Sequence, residues 1–150
     1  MHAYGRLTAM IAMSFVAMYI LMYAMVDTFS DVFPNVNQFY MASLMTAPMV
    51  AIELLLMRSM YENKKANIAI LALSIVAIGG FFLLIRLQAA VGDKQFLKSM
   101  IPHHSGAILM CQRASITDPE VKKLCAGIVQ GQRSEIDQMN ALIKKLEKQD

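Results

Sequence analysis

Tryptophan is absent from the 150-residue chain, charged residues make up only 17% of it, and cysteine occurs twice. The two cysteines, Cys111 and Cys125, are too far apart for a CxxC pair, which argues against a thioredoxin-type redox role. No Glu-x-x-His repeat is present, as a ferritin-like diiron centre requires, and there is no HExxH zincin pattern. A glycine-rich phosphate loop is missing, and no Ser-His-Asp set can be assembled. No catalytic residues are therefore assigned. Uniform positive charge is also lacking. From Asp93 onward, 9 Lys/Arg stand against 7 Asp/Glu in 58 residues, the balance of a solvated helical surface. The overall pI of about 8.9 then gives no reason to expect nucleic-acid binding.

What the chain has instead is apolar length. Hydrophobic residues make up 57% of it, and they are clustered. Leu7 to Val26 runs for 20 residues without a charge, the length a helix needs to cross a bilayer. Ile68 to Ile85 is a second uncharged stretch. Phe39 to Met57 lies between them with one acid, Glu53. The reading is three transmembrane helices in a domain of residues 1–88, followed by a tail domain of residues 89–150. Closely spaced spans and the lack of a small-residue cleavage pattern argue against a cleaved signal peptide. Arg6, Arg58, Lys64 and Lys65 flank the spans on one side, while the loop from Asp27 to Gln38 has two acids and no base. The positive-inside rule puts the N-terminus in the cytoplasm and that loop outside. Parity then sends the tail outside too, so a plasma (inner) membrane protein with a periplasmic or extracellular tail is expected.

The tail reads as an antiparallel helical hairpin. Phe96, Met100, His103, Ala107 and Met110 recur at helical spacing, with Leu97, Ile101, His104, Ile108 and Cys111 on the adjoining stripe. Pro102 either separates a short turn from the main helix or occupies that helix's first turn. Asp118 followed by Pro119 is a helix-start signal, and Val121, Cys125, Ile128, Gln132, Glu135, Met139, Leu142 and Leu146 share the next stripe. A hairpin centred near Asp118 sets Cys111 opposite Cys125, Ile108 opposite Ile128 and His104 opposite Gln132, with Ile101 near Glu135. One hairpin this small cannot bury a full core. It needs the membrane domain or a second hairpin against it.

The stretch "DKQFLKSMIPHHSGAILM", Asp93 to Met110, resembles the signature of the DUF305 family. The likeness is carried by Asp93, Phe96, Leu97, Met100, Ile101, Pro102, His103, His104, Ala107, Ile108 and Met110. Ile128, Gln132, Glu135, Ile136 and Met139 continue it, and the spans look like those of membrane-anchored members. The resemblance implies a ferritin-like helical domain, and copper binding in the periplasm for some members. Soluble members often carry two copies of the His-His half, whereas this chain has one. The expected fold is therefore all-α: three transmembrane helices, then an extracytoplasmic hairpin that completes a four-helix bundle by dimerisation.

Imidazole and thioether together suit copper, with soft sulfur favouring the cuprous ion. The expected ligands are His103, His104, Met100 and Met110, with Gln132, Glu135 and Met139 behind them. Adjacent helical residues point about 100° apart, so one histidine faces a site while the other meets the core. The bland alternative is a hydrogen-bonded core histidine. Of 14 methionines, 11 lie at or before Met60. Met22, Met25, Met41 and Met45 fall in the extracytoplasmic half, where they either pass Cu(I) or act as flexible packing. Cys111 and Cys125 are a disulfide, two buried thiols or a thiolate pair on copper, the first favoured by an oxidising compartment. Glu53 either couples protons or makes a structural hydrogen bond. The functional expectation is membrane-anchored copper binding, with a homodimer or higher oligomer and copper-handling proteins as partners. The alternative is a structural, assembly-mediating membrane protein.

Overall fold

A computed structural model of the chain describes residues 3–149. Among them it is entirely helical: α1 (Ala3–Leu21), α2 (Val36–Leu56), α3 (Lys64–Arg86), α4 (Asp93–Arg113) and α5 (Pro119–Glu147), with short 3-10 turns between them. Three segments are long and apolar enough to cross a membrane: Ala3–Met25, Val36–Leu56 and Lys64–Arg86. They coincide with the three spans read from the sequence, each beginning three or four residues earlier and ending within one residue of it. The chain divides into two compact units. One holds the chain up to Met22 together with Asn37–Ala89; the other holds Tyr23–Val36 together with the chain from Ala90 onward.

In the first unit, the start of α1, the end of α2 and the start of α3 gather around Leu7, Val50, Leu54 and Tyr61. Asn63 caps α3 by accepting from the Ala66 N–H at 3.0 Å, which satisfies an orphan donor of the first turn. Tyr4 OH donates to Asn67 Oδ1 at 2.8 Å, and Asn67 Nδ2 donates to the Tyr61 carbonyl at 2.8 Å. Glu53 makes a structural hydrogen bond here, accepting from Tyr61 OH at 3.2 Å. At the other end of the spans, Tyr40 OH donates to the Ala89 carbonyl at 2.9 Å. The chain leaves α3 through two left-handed residues that are not glycine, Gln88 (φ 49°) and Ala90 (φ 56°).

The second unit is the hairpin plus the connection between α1 and α2. Asp118 caps α5 as its sequence predicts, accepting from the N–H groups of Glu120 and Val121 at 2.8 and 3.0 Å. Leu97, Ile101 and Ile108 of α4 pack on Ile136, Met139 and Ile143 of α5, with Phe33 from the connection joining them. One expectation needs correcting. Pro102 neither divides α4 nor starts it; the helix runs unbroken from Asp93 to Arg113. A mid-helix proline cannot donate to the carbonyl four residues back, here that of Lys98. Asn35 Nδ2 reaches that carbonyl at 3.5 Å.

Asn35 belongs to a strap that lies along α4. The Asp27 N–H donates to Ser105 Oγ at 2.9 Å, and Ser105 Oγ donates to Asp31 Oδ2 at 2.7 Å. The Val36 N–H donates to Gln95 Oε1 at 3.0 Å. Gly106 is the hairpin glycine at which a Cβ would touch another segment, standing 3.4 Å from the Met25 carbonyl oxygen in ordinary van der Waals contact. The hairpin thus gains a third packed segment from within the chain.

Candidate metal site on the hairpin

The two adjacent histidines lie in opposite environments. His104 is buried, 9% exposed, and both its nitrogens are engaged. Nδ1 sits 2.9 Å from the Met100 carbonyl, and Nε2 sits 2.7 Å from Glu135 Oε2. Both ring nitrogens are thus taken up by hydrogen-bond partners, and neither faces an open position for a metal. His103, one residue earlier, is exposed, its ring centroid 6.1 Å from that of His104.

The partner of His104 differs from the expected one. Glu135, three residues beyond Gln132, makes the contact, although the cysteines meet as the hairpin register requires. Helical side chains lean toward their own N-terminus. In an antiparallel pair, His104 therefore tilts away from the turn and Glu135 tilts toward it, so their tips meet where their Cα atoms do not. Gln132 Oε1 is buried without a hydrogen-bond partner among the described residues. Met139 is a core residue at 8% exposure. Cys111 and Cys125 are joined, with Cα atoms 5.2 Å apart and a sequence separation of 14, which closes the hairpin at its turn.

Copper, the metal that the resemblance implies, can be tested against this donor set. Met100 and His103 are three residues apart on α4, hence neighbours on one helix face. Met100 is half-buried, and Met110 is 53% exposed on the same stripe. Met110 lies seven residues beyond His103, about 10 Å along the helix axis, too far for one ion to bind both within one chain. No group of three or more His, Cys, Asp or Glu suited to a metal occurs among the described residues. The residues fit a soft ion held by the His103 imidazole and the Met100 thioether. They do not fit a four-donor site.

The membrane-side methionines are divided between the units, with Met25 in the hairpin unit and Met22, Met41 and Met45 in the other. Met41 and Met45 face outward from α2, at 37% and 45% exposure. The strap residues Asn35, Asp31 and Ser105 escape a sequence reading, since nothing local marks a loop that docks on a helix far along the chain. Gly106 and the helix-internal Pro102 are the two signals that would have pointed there.

Comparison with known proteins agrees with the hairpin's motif. The family model "Domain of unknown function (DUF305)" matches residues 83–143. The chain is similar to the "Uncharacterized protein L153" of Acanthamoeba polyphaga mimivirus, 36% identical over 137 residues, which cover 89% of this chain and 88% of that protein. A match of that length extends beyond the hairpin into the apolar helices. No solved structure matches the chain. The signature around His103 and His104, the family match over the hairpin and the nearly full-length relative together place the chain in the DUF305 family.

Proposed function

We propose that the protein is a membrane-anchored module that holds a soft metal ion, most suitably copper, on the extracytoplasmic face of a plasma (inner) membrane. The observation that carries this reading is the exposed His103 imidazole one turn from the Met100 thioether, whose half-buried side chain also touches the hairpin core. The ion would be held by these two side chains, with Met110 a separate sulfur further along. His104 and Glu135 brace the helix that presents them. Copper-handling proteins are the partners such a module would serve. The shared side of strap and hairpin is supported by the bonds from Asp27 and Asn35 to α4, and the side itself by the basic flank of the second loop.

Competition against a cuprous chelator, using the full chain in detergent, tests the metal. His103→Ala is expected to weaken Cu(I) binding at least tenfold and Met100→Leu several-fold. Lower pH weakens it as well, since a ligating imidazole must shed its proton. Equal affinity in wild type and His103→Ala removes the metal reading. For topology, cysteines placed at Ser30 and Lys144 should both label from outside intact cells.

A second reading is favoured by a different observation. Large apolar side chains stay exposed on the hairpin, including Phe96 at 50%, Met110 at 53% and Leu124 at 63%. Exposed apolar surface of this kind marks an interaction face, and the protein then serves as a homo-oligomeric assembly element.

A further inference from the structure

A stripe of uncharged residues runs along α4 through Phe96, Met100, His103, Ala107 and Met110; Phe96, His103 and Met110 are exposed, and Met100 and Ala107 are half-buried, Met100 against the edge of the hairpin core. The other sides of α4 carry the α5 core and the strap. On α5 the matching stripe runs Leu124, Ile128, Gly131, Glu135 and Leu142, spaced by three, four and seven residues. Phe96 and Leu142 line one surface groove, and Leu124, Ile128, Gly131 and Glu135 line another. A Cβ at Gly131 would meet nothing within 4 Å, so this side of α5 is open.

We infer that this face seats a second copy of the chain, turned end over end, so that α4 crosses α4 and α5 crosses α5 antiparallel. The inference rests on the assembly reading and names its surface and register. A two-fold axis through His103 brings Phe96 of one copy onto Met110 of the other. It sets the long Met100 against the small Ala107. On α5 the same axis passes near Arg133 and sets Leu124 against Leu142. His103 and Arg133 lie at one level of the hairpin, because each stands eight residues from its own cysteine of the Cys111–Cys125 pair, so a single axis serves both helices. The rim charges agree: Glu120 at one end of α5 comes over Lys145 at the other. A uniformly charged rim would repel its own copy, whereas this face is complementary to itself. The outcome is a four-helix layer pair that buries the stripe.

The test is thiol cross-linking of the full chain in detergent or nanodiscs. Phe96→Cys with Met110→Cys is expected to give an intermolecular product with a short thiol cross-linker, while either single variant gives at least fivefold less. Adding Ala107→Glu to the pair should cut the yield at least tenfold. Circular dichroism and an intact Cys111–Cys125 bond check that this variant folds. A chain that sediments as a monomer in both media overturns the register and the assembly reading together. A dimer that gives no Phe96–Met110 product, or one indifferent to Ala107→Glu, overturns this face and leaves assembly through another surface standing. The cross-link with unchanged Cu(I) binding in His103→Ala supports the interface and rejects the metal reading.

Discussion

Replacing His104 with alanine and, separately, His103 with alanine should give opposite results although the residues are neighbours. His104 is 9% exposed and hydrogen-bonded at both nitrogens. Its removal deletes a charge-assisted bond, about 1.5–3 kcal/mol, and leaves a packing defect beside the α4–α5 core. Stranding a buried charge would add several kcal/mol, but the Glu135 side chain is 55% exposed and turns to water instead. The expected loss is about 2–4 kcal/mol. His103 lies on the surface, where substitutions stay within about 0.5 kcal/mol. Amide hydrogen exchange of the full chain in detergent reads the difference locally. Peptides from the middle of α4 and of α5 should exchange at least about thirtyfold faster in His104→Ala and at the wild-type rate in His103→Ala. Glu135→Gln keeps an acceptor and should fall between, at about 1 kcal/mol. Equal protection in the two histidine variants would show that the His104–Glu135 contact does not hold the helices together.

Three other perturbations bear on different parts of the chain. Ala90 has φ 56°, a conformation costing a residue with a Cβ about 1–2 kcal/mol. Ala90→Gly should therefore raise the thermal midpoint, by about 0.5–1 kcal/mol after the added flexibility of the unfolded chain; a lower midpoint would mean that the turn is not strained. The Cys111–Cys125 bond closes a short loop, for which chain entropy gives about 3 kcal/mol, so Cys125→Ser should speed exchange in the hairpin and leave α3 unchanged. Burial, and then the hydrogen bond to Glu53, push the Tyr61 phenol above its ordinary value of 10.0. The neutral form is thus favoured by folding, and this stabilisation is complete below pH 10.0 and lost as pH rises through the higher folded value. Tyr61→Phe should flatten that alkaline loss, and identical alkaline unfolding in both proteins would contradict it.

The parts of the fold that were legible in the sequence are those written in local signals. Apolar runs of bilayer length, uncharged but for Glu53 in α2, mark α1, α2 and α3, and Asp118-Pro119 starts α5 where capping chemistry says it should. The cysteines follow from the same source, because near the turn a hairpin's register has had no length over which to drift. Seven residues further down α4, the lean of each side chain toward its own helix N-terminus brings His104 to Glu135 rather than Gln132. Periodicity alone gives Cα levels, and the contact is made by side-chain tips.

Pro102 shows where local reasoning stops. Read by itself, a proline ten residues into a helical pattern marks a boundary, since it removes a hydrogen bond and leaves a carbonyl unpaired. The structure keeps the helix whole, and Asn35, far away in the chain, brings its Nδ2 to 3.5 Å from the freed Lys98 carbonyl. The same strap uses Asp31, an acid that sequence reasoning counted as loop charge. It is 9% exposed and accepts from Ser105, so its charge is spent inside the fold. The acid of that loop and the carbonyl freed by the proline of α4 are therefore met along the same packing of strap on helix. Neither residue is explained by its own neighbourhood. The sequence does retain one trace of that contact: Gly106, beside Ser105, is the hairpin glycine at which the Met25 backbone comes within van der Waals range of a Cβ position.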